Sequence, residues 1–106
     1  MKEHWMRRLE GARDAEAVVE IAKDFLFMWS PSEIEELPEA ARPPEITTSD
    51  DVSGYAFALG EARCKDEQLL PELQEMATFF SAASNRLSQI YATARATNSG
   101  RFFTTR

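Results

Sequence analysis

Apolar residues recur along this chain at spacings of three and four, and nowhere alternate with polar ones over a useful length. That period belongs to helices, not strands. In the first stretch, Lys2 to Ala12, the residues Trp5, Leu9 and Ala12 share a narrow face with Met6 alongside. Gly11 weakens its end, and Asp14 is placed to cap a second helix running to about Trp29. Ala15, Val18, Val19, Ala22, Phe25, Leu26 and Trp29 form that helix's apolar face, with Glu16, Glu20, Lys23 and Asp24 opposite. Phe27 and Met28 widen the face, which predicts that this C-terminal end is the most buried part.

Ser30-Pro31-Ser32-Glu33 is the sharpest local signal. The Ser30 hydroxyl can accept from the Glu33 amide while the Glu33 carboxylate reaches back to the Ser30 amide. Pro31 sits at the first helical position, where its missing N–H costs nothing. A short helix with Ile34 and Leu37 on one face should end at Pro38. Residues 39–48, with the Pro43-Pro44 pair, read as an irregular connection. Thr48, Ser49 or Asp50 then caps a helix with an apolar stripe of Val52, Tyr55, Ala56, Leu59 and Ala62. Its small residues Gly54, Ala58 and Gly60 permit another backbone to approach closely, at a cost in helix propensity. This helix should end between Cys64 and Leu70.

The last helix starts near Pro71 and reaches about Ala96. Leu69, Leu73, Met76, Phe80, Ala83, Leu87, Ile90 and Ala94 are spaced 4, 3, 4, 3, 4, 3, 4, an unbroken heptad pattern. Thr97-Asn98-Ser99-Gly100 reads as a stop, leaving a tail with adjacent Phe102 and Phe103 between Arg101 and Arg106. The fold class is therefore all-α: a compact helical bundle of about four helices with a long C-terminal helix. Residues 1–96 form a single helical domain, and residues 97–106 a C-terminal tail that docks on the domain or on a second chain.

The composition fits one soluble domain: 106 residues, 43% hydrophobic, 28% charged, net charge −6. The charge is unevenly spread. Residues 31–67 carry 10 acidic and 3 basic groups, a balance of −7, while residues 68–106 carry 4 basic and 2 acidic, a balance of +2. No stretch approaches the ~18 apolar residues of a membrane span, and no targeting segment is visible. A lone cysteine, Cys64, fits a reducing compartment, so a cytoplasmic location is the expectation.

Candidate chemistry is sparse. One cysteine and one histidine exclude cysteine-cluster and multi-histidine metal sites. His4 has no Ser, Cys or Asp neighbour that suggests a triad. Cys64 beside Lys65 reads as a thiol packed at a helix end. Glu33, Glu35, Glu36, Glu39 and Glu45 lack any calcium-loop pattern and read as a solvated face. Arg86, Arg95, Arg101 and Arg106 are too thinly spread for a nucleic-acid footprint on a chain of this charge. Neither a catalytic residue, a cofactor nor a metal is expected.

Phe25, Phe27, Trp29, Tyr55, Phe57, Phe79 and Phe80 come from three helices. At helical spacing such rings are more often core than ligand site. Phe25, Phe27 and Trp29 cannot all face one direction, and neither can Phe79 and Phe80, so some rings must leave the main core. A helix from Leu69 to Ala96 would be about 42 Å long, against a diameter of about 34 Å for a globule of this size. Its apolar positions therefore outrun its own domain. The reading that follows is a small acidic non-enzymatic protein–protein interaction protein, a homodimer held by Leu73, Met76, Phe80, Leu87, Ile90, Phe102 and Phe103. A second protein is a further partner class; membranes and nucleic acids are not. Two alternatives stand beside it. One is a small-ligand binder with a pocket lined by Trp29, Tyr55 and Tyr91. The other is an acidic chaperone or inhibitor that masks a basic partner with residues 33–51.

Overall fold

In the computed structural model, the backbone is described for residues 2–68 and 70–104, and side-chain surroundings for residues 3–68 and 70–94. Among these the chain forms α1 (Lys2–Gly11), α2 (Ala15–Phe27), α3 (Pro31–Glu36), a 3-10 turn (Glu39–Ala41), α4 (Ser49–Lys65) and α5 (Pro71–Thr104), with no strand. The architecture is an all-α bundle with a long C-terminal helix.

Each helix start is set by local chemistry. Asp14 Oδ1 accepts from the Ala17 amide at 2.8 Å and opens α2. At α3 both halves of the capping box are made: Ser30 Oγ accepts from the Glu33 amide at 3.2 Å, and Glu33 Oε1 accepts from the Ser30 amide at 3.0 Å. Thr48 is the cap of α4, with Asp51 as its reciprocal partner. Between α4 and α5 the Asp66 carboxylate accepts from the amides of Gln68 and Leu70, at 3.1 and 2.7 Å. These contacts satisfy donors that a helix start would otherwise leave unpaired.

The core is organised around α5. The helices α1, α2 and α4 all pack on it. Phe25 of α2 stacks on Phe79 of α5 with ring centroids 3.9 Å apart and planes within 4°. Trp5 of α1 meets both edge-on, at 5.4 and 6.0 Å. Phe80 turns the other way, to an edge contact with Tyr55 of α4 at 4.7 Å. Tyr55 in turn donates its hydroxyl to the Ala41 carbonyl at 2.6 Å, fixing the 3-10 turn against α4. Burial pushes the Tyr55 phenol well above its ordinary pKa, so it stays neutral and keeps donating. Arg86 of α5 donates through Nε and Nη2 to the Ala12 carbonyl, at 3.2 and 2.8 Å, and holds the corner between α1 and α2. Arg8 of α1 lies 5.1 Å from the Trp5 ring centroid and pairs with Asp24 of α2 at 2.7 Å.

Several expectations change. Phe79 and Phe80 are both buried, because α5 is flanked on two sides and so buries an arc wide enough for rings about 100° apart. The C-terminal end of α2 is not its most buried part: Phe27 is 90% and Met28 62% exposed. Phe27 lies two residues, about 200°, from the Phe25 that defines the buried face. Cys64 is exposed rather than packed. The helix does not stop at Thr97-Asn98-Ser99-Gly100, since α5 runs to Thr104. These residues have poor helix propensity, but none is a proline, so each weakens the helix without breaking it. The molecule is accordingly long, 57 × 25 × 23 Å.

Replacing Phe79 by Ala removes the ring on which Phe25 and Trp5 rest. A loss of about 3–5 kcal/mol in urea unfolding is expected, whereas Phe27→Ala should stay within about 0.5 kcal/mol of the parent.

Candidate functional site

The heptad positions were the sequence-level candidates for an interface. Leu73, Met76, Phe80 and Leu87 are instead buried inside the single chain, each at or below 1% exposure. They pack against α1, α2 and α4 and have no surface to offer a second copy. The interface expectation is corrected for these four residues. Ile90 is half-buried and marks the edge of the core. Phe102 and Phe103 lie outside the residues whose side chains are described, as does the docking expected of the tail.

What remains is the far end of α5. Among the described side chains, the last buried one is Leu87, and residues 91–94 are all exposed. Among them, too, Tyr91 makes the last tie to the body, its hydroxyl 2.6 Å from Ser49 Oγ at the start of α4. Tyr91 itself is 44% exposed. A helix of 34 residues is about 51 Å long, and the side chains described after Ile90 are all exposed.

Trp29, Tyr55 and Tyr91 do not form a common pocket. Tyr55 is in the core with its hydroxyl used, Trp29 rests half-buried against Phe25 at 6.0 Å, and Tyr91 sits on the outer side of α5. The aromatic-pocket expectation is corrected: the rings that meet are Trp5, Phe25, Phe79, Phe80 and Tyr55, and they fill space rather than enclose it. The clefts that exist are open. One of about 720 Å³ runs between α2 and the start of α4, with Asp14, Glu16, Glu20 and Lys23 along one wall. Another of about 380 Å³ lies beside Phe27 and Met28.

The acidic residues Glu33, Glu35, Glu36, Glu39 and Glu45 are all exposed. No group of three or more His, Cys, Asp or Glu among the described residues is arranged to hold a metal ion. His4 is exposed, with its ring edge-on to Trp5 at 5.4 Å. Arg86 and Arg42 serve as caps: Arg42 donates to the carbonyls of Leu37 and Glu35, at 3.3 and 3.2 Å. No described helix is long and apolar enough to cross a membrane.

Two exposed features involve residues named in the sequence reading but not as surfaces. The first is the Phe27–Met28 corner. The second is the outer side of α4, where Phe57 is 70% exposed. On the same helix, a Cβ added at Gly54 or Gly60 would meet nothing within 4 Å, so neither glycine is required by packing inside the chain. Each still costs the helix roughly 1 kcal/mol relative to alanine. The signal for this surface was the coincidence of an aromatic with two nearby glycines on a helix whose buried stripe lies elsewhere.

No family model, curated protein or solved structure matches this chain.

Asp51 gives the start of α4 a pH dependence. Its Oδ2 accepts from the Thr47 amide, the Thr48 amide and the Thr47 hydroxyl, each at 2.9 Å. The backbone bond from Thr47 leads these in lowering its pKa from 3.8 to about 2. A pKa depressed in the folded state adds stability that is present above 3.8 and lost as pH falls towards 2. Asp51→Asn should flatten the acid limb of the melting-temperature profile in that window. An unchanged slope there would show that the Asp51 bonds do not contribute.

Proposed function

We propose that this chain is a non-enzymatic helical interaction protein that self-associates, with the projecting end of α5 as the element it offers to a second copy. The observation that carries the reading is the length of α5 against its cover. The helix is about 51 Å long on a body 25 × 23 Å across, and its last buried residue among those described is Leu87. A helix is held mainly by packing of one face and is marginal in water without it. An end whose described side chains, residues 91–94, are all exposed fits an element completed by a partner. The two groups with displaced pKa values, Asp51 and Tyr55, both have structural partners, which favours a scaffold over a catalyst. The single exposed thiol, Cys64, supports a reducing compartment, the cytoplasm.

A second reading, an acidic surface that covers a basic partner, draws on the exposed carboxylates of residues 33–45. Its mark would be steeply salt-dependent binding.

Light scattering on the full chain at tens of micromolar tests the first reading. We expect twice the chain mass or more. Ile90→Arg, or truncation after Ala94, should lower that mass while far-ultraviolet circular dichroism stays helical. A monomer for the unaltered chain would contradict self-association, and an assembly indifferent to both changes would remove α5 from it.

A further inference from the structure

We infer that the outer face of α4 is a second, two-fold contact, in which α4 of one copy lies antiparallel on α4 of another with Phe57 at the axis. Asp50, Gly54, Phe57, Glu61 and Cys64 follow one another at spacings of 4, 3, 4 and 3, and all five are exposed. They form a continuous line on the side away from the buried Val52, Tyr55 and Leu59. Phe57 is 70% exposed, and no neighbour among the described residues requires Gly54 or Gly60.

An isologous contact requires the same patch on both copies to be complementary to itself. The α4 sequence meets that condition when residues equidistant from Phe57 face each other. Gly54 then opposes Gly60, three residues to either side, and the two helix backbones can approach closely around the paired rings. Asp50 opposes Cys64, with Lys65 of the other copy on the same flank. Glu61 opposes the uncharged Ser53. Asp50, Arg63 and Lys65 form no ion pair among the described residues, and all three are exposed. A parallel pairing would set Asp50 and Asp51 against their own copies and align the helix dipoles unfavourably. Charge and small-residue placement thus select one orientation and one occupant, a second copy of this chain.

This inference shares the premise of self-association but not the α5 contact, and the two are separable. In the full chain carrying Cys64→Ser, Phe57→Cys places one thiol on the axis of each copy. Mild oxidation should give a covalent dimer on a non-reducing gel, while Glu36→Cys in the same background should not. With both contacts made, light scattering should give the unaltered chain a mass above a dimer; Ile90→Arg should reduce it to a dimer held by α4, and adding Phe57→Arg should give a monomer. Phe57 is exposed, so that change should not disturb folding, which circular dichroism checks. Alanine at both Gly54 and Gly60 should weaken the dimer about tenfold or more without loss of helicity. If Phe57→Cys fails to cross-link and Phe57→Arg leaves the mass unchanged, the α4 contact is wrong while the α5 reading stands. If the unaltered chain is a monomer, both fall.

Discussion

The stack of Phe25 on Phe79 is the contact on which the arrangement of the helices depends. It joins α2 to α5 at a centroid distance of 3.9 Å, and Trp5 closes over both rings from α1. Because Phe80 follows Phe79 directly, the same turn of α5 also reaches α4 through Tyr55. One pair of adjacent residues thus addresses both sides of the bundle. Tyr55 passes the constraint on to the 3-10 turn through the Ala41 carbonyl, and Arg86, beside the buried Leu87, closes the corner between α1 and α2. Buried polar groups are few, and no buried side-chain polar atom among the described residues lacks a partner. Packing around α5 therefore carries the stability, as it does for most helices in folded proteins.

The placement of α5 at the centre separates its two ends in kind. From Leu73 to Leu87 its apolar positions are covered by three helices of the same chain. After Tyr91 none of the described side chains is buried. The heptad pattern thus runs from intrachain packing into the exposed residues 91–94, and the proposed α5 contact rests on that end. The outer side of α4 is a different surface, distinguished by an exposed ring between glycines that the monomer does not need.

Much of the fold was legible because its signals are local. The caps at Asp14, Ser30 and Thr48 depend on residues three apart, and the helical spacing of α1, α2 and α4 depends on neighbours along one face. The heptad line of α5 was correctly apolar, but a sequence does not show what covers such a line. It read as an interface when it is the core post. The assumption of one stripe per helix also failed at Phe79–Phe80, where helices on two sides bury a broad arc. Phe27 was misplaced for the opposite reason. It was added to the face of α2 on hydrophobicity, although its angular position puts it far from Phe25. The trio of Trp29, Tyr55 and Tyr91 was chosen by chemical type and has no shared location, since residue type carries no distance information across a bundle. Gly54 and Gly60 were noted as small, yet only the open space around them shows that no intrachain neighbour requires it.

In the proposed assembly one helix serves as core post along one part and as contact element along the other. Native-state amide hydrogen exchange along α5, measured at several protein concentrations, separates the two roles. Amides from Met76 to Leu87 should exchange only through global unfolding, while those after Tyr91 should exchange fast in dilute solution and gain protection as concentration rises. Protection that is uniform along α5 and independent of concentration would rule the division out.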